Sequence, residues 1–231
     1  MIPWLTPESP FPPLNSALTK PNGLLAVGGD LSPQRLIEAY RHGIFPWFNE
    51  GEPILWWSPD PRMVLFPDEL RISRSLRKTL KKKGYEIRVD SAFRQVMQAC
   101  AELRRESGTW IHAGMISAYT MLHEMGLAHS VEVWIDGELM GGLYGVAQGR
   151  MFFGESMFSR VSDASKIAFV HLVKHLERRG FRMIDCQMKT AHLASLGGRE
   201  IPRNEFSQKL KELVNYSERV EKWCFDHESI E

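Results

Sequence analysis

The sequence has few cysteines, no long apolar run and almost no net charge. Its three cysteines, Cys100, Cys186 and Cys224, are an odd number at wide spacing, which argues against a disulfide framework and favours a reducing compartment. No apolar run approaches the ~18 residues of a membrane span. The first residues, MIPWLTPESPFPP, lack the basic and apolar segments of a signal peptide. We therefore expect a soluble, cytoplasmic protein that does not contact a membrane.

The net charge of +1 hides an uneven distribution of basic residues. Between Arg71 and Arg88 the chain carries eight basic side chains and a single acidic one, Glu86. A cluster of this kind is typical of a phosphate-binding face. It is equally typical of a solvated basic helix, so charge alone leaves both interpretations open.

Tryptophan and proline are concentrated in one block, Gly43 to Arg62, which reads GIFPWFNEGEPILWWSPDPR. It holds three of the seven tryptophans and four of the thirteen prolines. Proline restricts the backbone and removes hydrogen-bond donors, so we expect a stiff, irregular loop. Tryptophans on a rigid loop can stack a nucleobase or fill a seam between domains, and composition alone favours the seam.

Periodicity predicts an α+β chain with a small N-terminal α/β domain at residues 1–61 and a larger domain at residues 62–231. In the first, Ser32 caps a helix that stops at Gly43. In the second, Asp136-Gly137 is a hairpin turn signal. Strands are predicted at 64–66, 85–89, 130–135, 139–147, 151–155 and 181–187. Helices are predicted before Gly84 and at 92–103, 115–125, 163–179, 190–195 and 205–214.

Several segments, in the same order, resemble one known family. They are PNGLLAVGGDLSPQRLIEAYRHG from Pro21, the Pro/Trp block, GTWI from Gly108, GGLYGVAQG from Gly141, FFGESMFSR from Phe152, ASK from Ala164 and IDCQ from Ile184. The chain is similar to the leucyl/phenylalanyl-tRNA–protein transferases from about Asn22 to Pro202. The resemblance implies an acetyltransferase-like (GNAT) domain with a central mixed, mostly antiparallel sheet flanked by helices. The predicted element order from residue 85 onward agrees with that fold.

The resemblance implies a catalytic pair, Asp185 and Gln187. Because they are two residues apart on a predicted strand, they would share one face, with Cys186 on the other. Without the resemblance, a carboxylate and an amide in these positions are typical of two side chains that hydrogen-bond to each other. We expect the Gln187 carbonyl to accept a hydrogen bond from the incoming amine and Asp185 to hold Gln187 in place. Because the family accepts proteins that begin with Arg or Lys, Glu155 is the candidate partner of that basic side chain.

The resemblance also implies where the donor tRNA binds. Its leucine or phenylalanine needs an apolar pocket, which we expect from Leu143, Leu172, Leu176 and Ile184, although such spacing is ordinarily that of a core. The family carries Met at the position of Leu143 and Phe at those of Leu172 and Leu176, so the donor preference stays open. We expect Trp47, Trp110 and Tyr119 to contact the terminal adenosine, while Trp56 and Trp57 pack the seam. The predicted phosphate contacts are Arg71, Arg74, Arg77, Lys78, Lys81, Lys82 and Lys83.

The expected activity is transfer of Leu or Phe, and less readily Met, from aminoacyl-tRNA to the α-amino group of proteins that begin with Arg or Lys. This transfer would mark them for N-end rule degradation. The ester is already activated, so no cofactor or metal is expected, and we expect a monomer. Two alternatives stay open. One is a CoA-dependent N-acetyltransferase, although residues 156–166 lack its Gly-rich turn, and the other is a non-catalytic tRNA- or peptide-binding adaptor.

Overall fold

The computed structural model describes residues 2–82, 84–104, 108–216 and 223, which form two sheets and their flanking helices. The strands are β1 (Trp4–Leu5), β2 (Leu24–Gly28), β3 (Phe45–Pro46), β4 (Leu55–Trp57), β5 (Arg62–Leu65), β6 (Glu86–Val89), β7 (Ala128–Ile135), β8 (Glu138–Gln148), β9 (Met151–Ser159), β10 (Met183–Gln187) and β11 (Arg199–Ile201). The helices are α1 (Pro33–Arg41), α2 (Arg74–Leu80), α3 (Phe93–Glu102), α4 (Ala113–Glu124), α5 (Ala164–Arg178), α6 (Ala191–Ser195) and α7 (Arg203–Leu213).

The smaller sheet has the strand order β1-β2-β4-β3. Its third and fourth members lie in the Pro/Trp block, so the expectation of an irregular loop was wrong for β3 and β4. Each is only two or three residues long, and such strands form because a neighbour offers a partner, β2 for β4 and β4 for β3, rather than through their own periodicity. Trp56 is fully buried and donates a hydrogen bond from its Nε1 to the Gly28 carbonyl at 2.8 Å. Trp56 therefore packs the interior, while its place in a seam between two domains stays a prediction.

The larger sheet has the order β11-β5-β10-β9-β8-β7-β6, and only β9 and β10 are parallel neighbours. The element order from β6 to α6 is the predicted one, which confirms the mixed, mostly antiparallel sheet. The helix α5 packs on β7, β8 and β9 within one buried cluster, and α3 packs on the same strands within another. The second cluster continues into α1 and β4, so the small sheet shares a core with this face. The division of the chain at residue 61 stays a prediction.

Local signals place most predicted element ends within about two residues of the observed ones. The Ser32 side chain accepts a hydrogen bond from the Arg35 N–H at the start of α1, and Asp136 and Gly137 both have positive φ between β7 and β8. The strand β9 runs four residues past its predicted end because β8 offers it partners as far as Ser159. The strand β11 was not predicted.

The site depends on the point where β9 and β10 separate. They pair only over Met151–Phe153 and Met183–Asp185. Beyond Phe153, β9 stays with β8, while β10 stays with β5. Two parallel strands that diverge at their carboxyl ends leave a cleft between them, and this cleft lies at the centre of the sheet.

Candidate functional site

A cavity of about 570 Å³ opens where β9 and β10 diverge. Its apolar wall comes from the middle strands and from the helices α5 and α6, and it includes Leu143, Phe152, Phe169, Leu172, Ile184 and Leu193. Three of the four predicted donor-pocket residues therefore line one cavity. Leu176 does not: it is fully buried in the core, one turn farther along α5 from the cavity than Leu172. Leu172 and Leu176 do lie on one face of α5, but the cavity extends along that face only as far as Leu172.

Gln187 closes the carboxyl end of β10 in an unusual backbone conformation. Its φ is 61°, in the left-handed region that side chains other than glycine rarely adopt, and the register with β5 shifts between Asp185 and Gln187. The prediction that Asp185 and Gln187 share one face of the strand, with Cys186 on the other, is therefore wrong. Cys186 and Gln187 both line the cavity, and Asp185 does not. The Cys186 thiol is largely withdrawn from solvent, and burial raises its pKa well above the ordinary value, so it is a poor nucleophile.

Asp185 is held by an arginine rather than by the side chain of Gln187. Arg62 on β5 donates two hydrogen bonds to its carboxylate, at 2.8 Å and 2.6 Å. The Oδ1 atom of Asp185 also accepts the backbone N–H of Gln187 at 2.9 Å. Asp185 does hold Gln187 in place, but through the main chain of Gln187. The negative charge of Asp185 is balanced by the positive charge of Arg62.

Glu155 lies on β9 beside the cavity, and only 9% of its surface is exposed. The side chain is enclosed because β9 lies in the middle of the sheet. The carboxylate accepts hydrogen bonds from the Tyr40 hydroxyl at 2.7 Å, the Tyr119 hydroxyl at 3.2 Å and Nε2 of Gln187 at 2.9 Å. Burial raises the pKa of Glu155 to about 7, and the charge of Asp185 adds to this, while the three hydrogen bonds oppose it. Glu155 can therefore exchange a proton near neutrality.

The hydrogen bonds fix the orientation of the Gln187 amide. Its NH₂ group donates to the Glu155 carboxylate, and its carbonyl oxygen forms no hydrogen bond within the described residues. This free acceptor belongs to a side chain that lines the cavity. The arrangement can accept an N–H from a bound amine without any movement of the amide.

Tyr119 was expected beside the adenosine, and the structure contradicts this. It is fully buried on α4, does not line the cavity, and its hydroxyl contacts the Tyr40 hydroxyl as well as Glu155. Burial raises the pKa of both tyrosines well above the ordinary value, so both stay protonated. A ring enclosed in this way cannot stack on a base, and Tyr119 instead supports Glu155.

Two tryptophans lie at the mouth of the cavity. Trp47 and Trp110 both line it, with ring centroids 6.2 Å apart and planes at 87°. Trp57 donates a hydrogen bond from its Nε1 to the Trp47 carbonyl at 2.7 Å, and the Arg104 guanidinium lies 5.0 Å from the Trp110 ring. Trp47 is 36% exposed. The Trp47 ring is thus partly exposed and is held in place by Trp57 and Trp110, so it offers a preformed stacking surface.

The basic cluster surrounds α2, whose one buried residue is Leu76. Six of the seven predicted phosphate contacts are exposed, and these are Arg71, Arg74, Arg77, Lys78, Lys81 and Lys82. Lys83 lies outside the described residues. The helix α2 packs through its apolar side on α5, so the charged side faces solvent.

Sequence reasoning missed Arg62, Tyr40 and Phe152 as members of the site. Arg62 had a signal, because it opens the apolar strand RMVL and a buried arginine needs a partner. The identity of that partner had none, since Asp185 lies 123 residues away. Among the described residues, no group of three or more His, Cys, Asp or Glu side chains could hold a metal ion. No described helix is both long and apolar enough to cross a membrane.

Solved structures with a similar arrangement include a GCN5-related N-acetyltransferase from Kribbella flavida. The alignment has a TM-score of 0.39 and 13% identity, and it covers 70% of this chain and 58% of that one. The C-terminal domain of a putative lysylphosphatidylglycerol synthetase from Agrobacterium fabrum aligns with a TM-score of 0.42 and 13% identity, over 80% of this chain and 59% of that one.

The sequence itself matches one family over most of its length. The profile described as "Leucyl/phenylalanyl-tRNA protein transferase" matches residues 64–211, and the profile of that family's N-terminal domain matches residues 29–60. Proteins named leucyl/phenylalanyl-tRNA–protein transferase are similar to the whole chain. The one from Nitrosospira multiformis is 76% identical over 100% of both chains, and the one from Nitrosomonas eutropha is 68% identical over 98% of this chain and 97% of its own.

Proposed function

Because this chain belongs to the leucyl/phenylalanyl-tRNA–protein transferase family and is an aminoacyltransferase, we propose its substrates and the roles of its residues. It transfers Leu or Phe, and less readily Met, from aminoacyl-tRNA to the α-amino group of proteins that begin with Arg or Lys. Transfer marks those proteins for N-end rule degradation in the cytoplasm, and the enzyme acts as a monomer. One observation carries this proposal: the apolar cavity opens directly beside the Gln187 amide and the Glu155 carboxylate.

The donor side chain occupies the apolar part of the cavity. Leu143, Leu172 and Ile184 surround it there, and the terminal adenosine stacks on Trp47 and Trp110 at the mouth. The exposed basic residues around α2 bind phosphates of the acceptor stem, which gives affinity without reading the tRNA sequence. With the side chain in the cavity and the adenosine at its mouth, the ester bond that joins them lies beside Gln187.

The acceptor amine approaches the ester carbonyl from the side of Gln187. An α-ammonium group has a pKa of about 7.7–8.0 in model peptides, so it loses a proton readily. The free carbonyl oxygen of Gln187 accepts one N–H of the amine and directs its lone pair at the ester carbon. The C–N bond forms, the C–O bond to the ribose breaks, and the ribose oxygen takes up the proton that the attacking nitrogen loses.

Glu155 provides the negative charge that recognises a basic first residue. A cation close to this carboxylate would favour its ionised form and lower its pKa below about 7. The bound acceptor thus interacts with the same carboxylate that accepts the hydrogen bond of the Gln187 amide. Binding of the correct acceptor and alignment of the amine are coupled through this one group.

The test uses the purified protein, leucyl-tRNA and two peptides that differ only in their first residue, Arg or Ala. We expect mass spectrometry to show one added leucine on the Arg peptide alone. Addition to both peptides would contradict the acceptor rule. Tight tRNA binding with no addition to either peptide would instead identify an adaptor and overturn the proposed chemistry.

A further inference from the structure

Trp223 is inserted into the face of the main sheet that α5 covers. It is 5% exposed, and its backbone N–H donates to Oδ2 of Asp90 at 3.1 Å. Its ring stacks on His129 of β7 at 3.9 Å with planes 7° apart, and His129 donates from its Nδ1 to the same Asp90 oxygen at 2.8 Å. Main-chain and side-chain contacts therefore hold this tryptophan in one orientation.

The ring of Trp223 also contacts Phe152, with centroids 5.9 Å apart. Phe152 is fully buried on β9 and lines the donor cavity. Its ring lies directly over Gly145 of β8, where a Cβ would come within 2.6 Å of two ring atoms. Phe152 thus lines the cavity and also contacts Gly145 and Trp223, and Trp223 does not itself line the cavity.

We propose that Trp223 is a positioning residue that sets the depth of the donor pocket through Phe152. This inference rests on the proposed function, in which the cavity holds the donor side chain. Gly145 leaves room for the Phe152 ring against β8, and Trp223 blocks the movement of that ring away from the cavity. A smaller side chain at position 223 lets Phe152 withdraw, which deepens the pocket and favours the longer phenylalanine over leucine.

The experiment compares Trp223→Phe with Trp4→Phe, a matched change at a tryptophan that is 70% exposed. For each protein, kcat/KM is measured with leucyl-tRNA and with phenylalanyl-tRNA on one Arg peptide. One methylene of direct pocket space changes discrimination about 10-fold or more. Because position 223 acts on the pocket only through Phe152, we expect Trp223→Phe to shift the ratio toward phenylalanine by less, roughly 3–10-fold. A loss of stability alone lowers both values together and leaves the ratio unchanged. Trp223→Tyr, measured in parallel, serves if the phenylalanine variant does not fold.

The same substitution in a Phe152→Leu background tests whether the effect passes through Phe152. We expect the shift at position 223 to disappear there, because coupled residues are not additive. An unchanged ratio in the first background, or an equal shift in both, overturns the inference. Wild-type protein that transfers neither amino acid refutes the proposed function instead, so the two failures are distinguishable.

Discussion

Arg62 and Asp185 form a buried ion pair, with two hydrogen bonds at 2.8 Å and 2.6 Å and 1% of each side chain exposed. The guanidinium also lies 4.8 Å from the Phe45 ring and 4.7 Å from the Phe206 ring. The pair joins β5 to β10 at the residue that holds the Gln187 backbone. Asp185 therefore holds the Gln187 backbone in place, and Arg62 balances the buried charge of its carboxylate.

Replacing Arg62 with Met leaves the Asp185 charge buried without a partner. We expect a loss of about 3–5 kcal/mol in the free energy of unfolding, as for other broken buried pairs. Urea denaturation measures this loss. The control is Arg199→Met, which breaks an exposed pair with Glu69 and should cost no more than about 1 kcal/mol. Equal costs for the two variants would contradict the assignment.

Glu155 makes the stability depend on pH. Because burial raises its folded pKa from 4.5 to about 7, the folded state binds this proton more tightly than the unfolded state. That contribution is complete below pH 4.5 and is lost as the pH rises through 7. Relative to Glu155→Gln, the wild-type unfolding free energy should fall by up to roughly 3 kcal/mol between pH 4.5 and 8. Parallel pH profiles would refute this, and the exposed Glu138→Gln should follow the wild type.

Gln187→Ala removes the free carbonyl that would aim the amine. We expect kcat to fall about 100-fold or more, the range of a lost positioning or polar contact in a transition state, with the affinity for aminoacyl-tRNA nearly unchanged. Single-turnover transfer and tRNA binding are measured on the same preparation. Gln98→Ala on the exposed side of α3 is the control. Equal losses of turnover and tRNA affinity would argue against an orienting role.

Trp47→Ala should weaken binding of the charged tRNA. Stacking of one base is worth about 1–3 kcal/mol, which corresponds to a rise in Kd of roughly 5–150-fold. Trp110→Ala should have a similar effect, since the two rings lie together at the cavity mouth. The matched control, Trp4→Ala, removes an exposed tryptophan that does not line the cavity. An affinity as low in this control as in Trp47→Ala would contradict the stacking proposal.

The residues around α2 should act through salt-dependent binding. Changing both Arg74 and Arg77 to Gln removes two charges, so the slope of log K against log salt concentration should decrease by about 1–2. The change is measured by tRNA binding at several salt concentrations. Lys209→Gln on α7 should leave the slope unchanged. A slope that stays the same in the double variant would show that α2 is a solvated helix.

Much of the fold and part of the site could be predicted because their signals are local. The Ser32 cap, the Asp136-Gly137 turn and the strand periodicity of β7 and β8 each depend on a few neighbouring residues. The short strands β1, β3, β4 and β11 have no such signal, since each is two or three residues long and forms only against a partner. Tyr119 and Leu176 have the right residue type for a pocket, but packing encloses both.

The family, the order of the elements and most of the residues around the cavity could be predicted from the sequence, because motif order and side-chain periodicity depend only on the order of residues in the chain. Tertiary structure alone decided how those residues are used. It pairs Asp185 with Arg62, buries Glu155 among two tyrosines, and turns Gln187 into the cavity at a break in strand register. These relations join residues 32 to 123 positions apart, and only the closed core brings their atoms within hydrogen-bond distance.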